Sequence, residues 1–240
     1  MATVVGALTQ AVLPALILPR VRRDLQPPEV AQPAPWAFAI WLPVYAAAAV
    51  HAARQARPAL RNDPVLRDAG WPLAAAYLCI GGWAPLLQRQ RYWAAQGALT
   101  GAAAFAGVAR TRLDRTDENR ISTSMALSTG LLSGWGAAAC GVNLASMAVG
   151  VGPVPTGRPT MIAGAATALA LGGLGAATLP QRATTLTQRT YAATLLWALV
   201  GVAAGQRRAS PSTAAAGMLA TVPIARRLLT LPNPRSPEAR

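Results

Sequence analysis

The 240-residue sequence contains no lysine: all 22 basic residues are arginine, set against only eight acids and one histidine. Charged residues make up 12% of the chain, where soluble domains carry roughly 25%, which argues against a water-soluble fold. The acids are also scarce in a positional sense. Asp24, Glu29, Asp63, Asp68, Asp114, Asp117, Glu118 and Glu238 all fall between long uncharged runs, and such runs read as membrane spans. Spans without a carboxylate argue against the proton relay of many coupled transporters. They also lack the acid, base, metal-ligand set or activated nucleophile that intramembrane catalysis needs, so the chain reads as no enzyme and as holding no metal. The two cysteines, Cys79 and Cys140, lie in apolar runs without a CxxC and read as small buried hydrophobes. His51, near the end of one run and beside Arg54, reads as an interfacial histidine in preference to a haem ligand. "GGLG" at 172–175 lacks the Lys-Ser/Thr ending of a phosphate-binding loop.

The net charge of +14 raises nucleic acid as a partner. That reading is rejected, because the arginines sit almost entirely in short connections, where cations are retained on the cytoplasmic side and touch anionic headgroups. Apolar runs span 2–18, 36–53, 71–87, 93–109, 121–151, 160–179, 190–205 and 212–225. They imply an all-α, polytopic transmembrane bundle of about eight helices, the last two runs being short for a full crossing. The first run lacks a basic leader region and a small-residue cleavage site, and is expected to be retained as a span. Arginines divide 14 against 8 between alternate sides, which favours cytoplasmic termini. GxxxG spacings at Gly97/Gly101, Gly130/Gly134 and Gly201/Gly205 suit close helix packing. Prolines at 14, 43, 85 and 223 lie inside proposed spans, where each removes a backbone hydrogen bond. The connection "RTRLDRTDENR" at 110–120 reads as a solvated loop pairing with itself and with headgroups, or else as a docking surface. The tail 228–240, containing "LPNPRSPEAR", reads as disordered.

Aromatic residues are only 5% of the chain, yet they crowd into "PAPWAFAIWLPVY" at 33–45. Helical geometry puts Phe38, Trp41 and Tyr45 at i, i+3 and i+7 on one face, with Trp36 at the mouth. An interfacial belt accounts for Trp36 but not for Tyr45, about 13 Å deeper. The stripe is therefore a packing seam or the wall of a flat-ligand pocket. In the fifth run Trp135, Ala139 and Asn143 follow at i, i+4 and i+8. An amide inside the membrane must find a partner; for Asn143 a hydrogen bond between helices and contact with a ligand both stay open.

"PAPWAFAIWLPVY", "GGWAPLL" at 81–87 and "GWGAAACGVN" at 134–143 together resemble the ordered signatures of the TspO/MBR family, the tryptophan-rich sensory proteins related to the translocator protein. "YAATLLWALVGVA" at 191–203 is similar to a later helix of a longer bacterial branch. The resemblance implies a five-helix core over 1–150 with three appended helices over 151–227. It also implies an aromatic-lined cavity for a flat lipophile such as a porphyrin, haem or sterol, lined by Trp36, Phe38, Trp41, Tyr45, Trp83, Trp135, Ala139 and Asn143. The third run departs from the pattern with Gly81 and Gly82 ahead of Trp83. The function expected is non-enzymatic binding of such a ligand, for sensing or transport, in a bacterial cytoplasmic membrane. The partners expected are membrane lipid, a hydrophobic small molecule, and a homodimer or larger membrane complex; the alternative is an accessory subunit of such a complex.

Overall fold

A computed structural model describes residues 30–60, 62–150, 157–179 and 185–230. Among these residues there are seven α-helices, three short 3-10 turns and no strand. In chain order the α-helices are α1 Trp41–Gln55, α2 Pro64–Gln88, α3 Tyr92–Leu113, α4 Thr123–Gly150, α5 Arg158–Ala177, α6 Leu186–Gln206 and α7 Pro211–Thr230. They coincide with apolar runs two to eight, while the helix expected at 2–18 lies outside the described residues, as does 231–240 of the expected tail. Residues 228–230 of that tail continue α7. The segment Pro35–Gln55 and helices α2, α4 and α5 are long and apolar enough to cross a membrane. Helices α3, α6 and α7 reach 22, 21 and 20 residues without meeting the same standard of apolarity. The last two runs are thus full-length helices, because helix formation continues into polar flanks such as Leu186–Arg189.

Local chemistry sets the element ends. Asp63 caps α2, its Oδ1 accepting the backbone N–H groups of Val65 at 2.8 Å and Leu66 at 3.3 Å. Pro35 opens a six-residue 3-10 turn, Pro35–Ile40. Pro43 falls in the first turn of α1, where a helix does not need its missing N–H. Pro72, inside α2, leaves the carbonyl of Asp68 without its i+4 donor. Arg112 of α3 supplies one instead, its Nη1 lying 2.6 Å from that carbonyl oxygen and 3.1 Å from the Asp68 carboxylate.

The longest helix, α4, runs through the centre and packs on α1, α3, α5 and α6; α2 pairs with α3, and α7 with α5 and α6. On one side of α4, Leu73, Tyr77, Ile80 and Leu99 build a core with Val44. On the other, Leu171, Leu195, Leu199 and Ile224 build a second core around Trp135. The exterior is apolar too: Leu42, Ile162, Leu174 and Leu219 stand outward, as they would toward lipid. Small residues let the helices close up. A Cβ on Gly130 or Gly134 would meet the backbone carbonyl of Thr187 or Tyr191 on α6 at 2.6 Å. Gly201 and Gly205 receive residues 32–37, whereas Gly97 has open space around it. Two of the three GxxxG spacings are therefore contact faces at both glycines; in the third, a Cβ on Gly101 would stand 3.2 Å from Cys79 Sγ of α2, and only Gly97 is open.

The charged stretch at 110–120 is less solvated than its composition suggests. Arg110 ends buried in the last turn of α3. Its Nη1 donates to Gln188 Oε1 at 2.9 Å and to the Thr178 carbonyl at 3.3 Å, and its guanidinium lies 4.0 Å from the centre of the Tyr191 ring. Gln188 Nε2 in turn donates to the Asp114 carboxylate. Burial pushes the Asp114 carboxyl above its ordinary value of 3.8, with the Gln188 hydrogen bond and the Arg110 charge acting in the opposite direction. A long, amphipathic arginine covers apolar surface and still finds partners, so this residue ties α3 to α6.

Candidate functional site

At the end of the bundle away from Arg110 lies a cavity of about 240 Å³. It is walled by α4 through Trp135, Ala138, Ala139, Val142 and Asn143, and by Trp83 and Leu87 of α2. Tyr92 and Gln96 come from the first turns of α3, Phe38 from the 3-10 turn, and Leu199 and Val202 from α6. None of the lining side chains among the described residues is charged.

Of the eight residues expected at the site, Phe38, Trp83, Trp135, Ala139 and Asn143 line this space, while Trp36, Trp41 and Tyr45 do not. Trp36 sits in the 3-10 turn, while Trp41 and Tyr45, on regular helix, are taken up by ring packing. Phe38 and Trp41 both meet the buried Trp135 edge to face, with ring centroids 5.6 and 6.1 Å apart, and Trp41 stacks on Tyr45 at 5.3 Å. Trp41 and Tyr45 thus form a seam that holds Trp135 in place, and only Phe38 continues to the cavity. Trp36 turns away to an edge-to-face contact with Trp197 at 4.9 Å. Trp197 donates its indole N–H to the Ala37 carbonyl at 2.8 Å, fastening the 3-10 turn to α6. Replacing Trp197 with Phe keeps a ring beside Trp36 and removes that donor. The expected cost is about 1 kcal/mol, read as a lowered thermal midpoint in detergent.

Of the two roles open to it from sequence, Asn143 shows no hydrogen bond to another helix among the described residues, and it stands in the cavity wall where a ligand would meet it. Its Nδ2 donates to the Ala139 carbonyl of its own helix at 2.9 Å, four residues back, which satisfies the amide without a neighbouring helix. The residue that sequence reasoning missed is Gln96. It is only 5% exposed; its Nε2 donates to Thr100 Oγ1 and to the Cys140 carbonyl, each at 3.3 Å, and its Oε1 is buried without a partner. The signal was present, since an amide within an apolar run raises the same question at 96 as at 143. Residues of α5 and α6 were missed for another reason: Leu171, Ala198, Leu199 and Val202 complete the wall from beyond the expected boundary at 150.

The two thiols are free and half-buried. Cys140 lies beside the Gln96 and Thr100 side chains. His51 is fully buried, far along α1 from the cavity, and neither ring nitrogen has a hydrogen-bond partner among the described residues. A family model described as TSPO-like protein matches residues 21–228. Comparison with curated proteins and with solved structures gives no match.

Proposed function

Because the chain belongs to the TSPO-like protein family, we propose that its cavity binds a flat hydrophobic ligand inside the membrane, for sensing or transport and without catalysis. The family and the four apolar helices fit a multi-pass integral membrane protein, which we place in a bacterial cytoplasmic membrane. The observation that carries the binding reading is Gln96. A buried carbonyl oxygen with no partner among the described residues has lost its hydration, and the Gln96 side chain that carries it belongs to the wall of a largely apolar space shared with Trp83 and Trp135. A guest that lies against these rings and donates one hydrogen bond to Gln96 Oε1 satisfies both features, the usual division of labour in an apolar pocket. Among the described lining residues there is no cation to pair with the carboxylates of a porphyrin. A volume of about 240 Å³ is also just below the roughly 300–1,000 Å³ of typical small-molecule sites, so a large ring system would project outward.

Tryptophan fluorescence of the detergent-solubilised protein tests this directly, with protoporphyrin and a sterol as probes. Saturable quenching is expected. Ala139→Phe, which fills the space, and Gln96→Leu, which removes the acceptor, should each weaken binding by about tenfold or more, a loss of roughly 1.4 kcal/mol. Trp36→Phe, away from the cavity, should change affinity little. Unchanged affinity in both cavity variants sinks the proposal. Co-purification of a stoichiometric protein partner with no ligand binding would favour the accessory-subunit reading.

A further inference from the structure

The end of the bundle opposite the cavity carries a second pocket, of about 200 Å³, that the ligand reading does not use. Its lining mixes apolar residues with charged and polar ones, where the described lining of the first carries no charge. His51 and Arg54 come from the last turns of α1, Asp63 from the cap of α2, and Asn119, Arg120 and Ser122 from the connection leading into α4. Three observations converge on an anion. The pocket sits at the N-termini of α2 and α4, lined there by Val65 and by Met125, and aligned peptide dipoles make such ends positive. Two arginines border it, and neither has an ion pair among the described residues, whereas Arg112 nearby is paired with Asp68. His51, fully buried, presents two ring nitrogens with no hydrogen-bond partner.

We propose that this pocket binds a phosphate group, its oxygens shared between the guanidinium groups of Arg54 and Arg120, with an N–H of the His51 ring donating to it. The Asp63 carboxylate offsets part of the positive charge. Its Oδ1 is engaged by the N–H groups of Val65 and Leu66, so the lining keeps an excess of one positive charge with His51 neutral. Arginine suits the task because its planar fork matches phosphate oxygens. The group has two sources, a free phosphate or the headgroup of an anionic phospholipid. The arginine-rich second and fourth connections that meet here are those expected on the cytoplasmic face, where anionic headgroups lie.

The test uses the full chain, delipidated in detergent, with inorganic phosphate as one probe and phosphatidylcholine vesicles containing phosphatidylglycerol as the other. The wild type should bind at least one of them saturably, above chloride at equal ionic strength. Arg54→Gln combined with Arg120→Gln, both exposed positions, should weaken that binding by about tenfold or more. Arg207→Gln combined with Arg208→Gln removes the same charge elsewhere and should leave binding nearly unchanged. Response to phosphate alone assigns a soluble anion; response to vesicles, with phosphatidylglycerol retained in native mass spectra of the wild type and lost from the Arg54/Arg120 variant, assigns a headgroup. Absence of saturable binding to either probe, or equal weakening by the two arginine pairs, overturns the proposal. Cavity quenching by protoporphyrin should be unaffected by the Arg54/Arg120 change, so failure here is distinct from failure of the cavity reading.

Discussion

Replacing Arg110 with Met lowers the unfolding free energy by about 3–5 kcal/mol, the range seen when one partner is removed from a buried charge network. Methionine fills similar volume, so the loss comes from the groups left behind. Gln188 Oε1, in a side chain only 1% exposed, and the Thr178 carbonyl lose their donor together, and the Tyr191 face loses its cation. The Asp114 carboxyl then has only the Gln188 hydrogen bond working against burial, so its value moves further above 3.8. A carboxyl raised in the folded state binds protons more readily there than in the unfolded chain. Its unfavourable contribution is therefore full at neutral pH and fades as pH falls through the raised value. Thermal unfolding in detergent, compared at neutral and mildly acidic pH, should show a large deficit for Arg110→Met that shrinks on acidification. An unchanged midpoint at neutral pH would show that the network contributes nothing.

Gly134→Val produces the second large effect, about 3 kcal/mol of destabilisation. An added Cβ at 134 would stand 2.6 Å from the Tyr191 carbonyl oxygen and 2.9 Å from the Cβ of Thr194. The first of these is backbone, so rotamer changes cannot relieve the clash and α4 and α6 must move apart. Trp135 is the next residue and Ala138 one turn on, facing Ala198 and Leu199 across the cavity, so the damage should reach ligand binding as well as the melting curve. Gly97→Ala is the internal contrast. Nothing lies within 4 Å of a Cβ there, and alanine in a helix gains about 0.5–1 kcal/mol over glycine. The two substitutions thus move the midpoint in opposite directions, though both glycines belong to GxxxG spacings. Equal effects would show that helix separation does not govern packing here.

Why the spacing alone could not separate these glycines also explains what was legible in the chain and what was not. Hydrophobic runs and the placement of charge located seven helices within a few residues, because each span must satisfy its own backbone and bury an apolar length. The face shared by Trp135, Ala139 and Asn143 was legible too, since α4 keeps a regular helix through 135–143 and all three residues reach one cavity. Which of the two open readings applies to Phe38, Trp41 and Tyr45 was not: they do share contacts around Trp135, but Trp41 and Tyr45 serve as a packing seam and only Phe38 reaches the cavity. Periodicity tells which residues share a side of one helix; it is silent on which neighbour that side meets. For that reason the burial of His51 went unseen, Arg110 read as solvated and is enclosed, and the α5 and α6 portions of the cavity wall went unseen.

The arginine that replaces a missing backbone donor in α2 has a bearing on how the chain is assembled. Because Pro72 cannot supply the bond to the Asp68 carbonyl, that oxygen is satisfied from the neighbouring helix by Arg112. That oxygen lies at an exposed end of α2, where water would serve it in the absence of α3; in the folded chain the guanidinium takes that place. The two helices, joined by only three residues, 89–91, are thereby clamped at both ends, by the short connection at one and by the Arg112 guanidinium on Asp68 at the other.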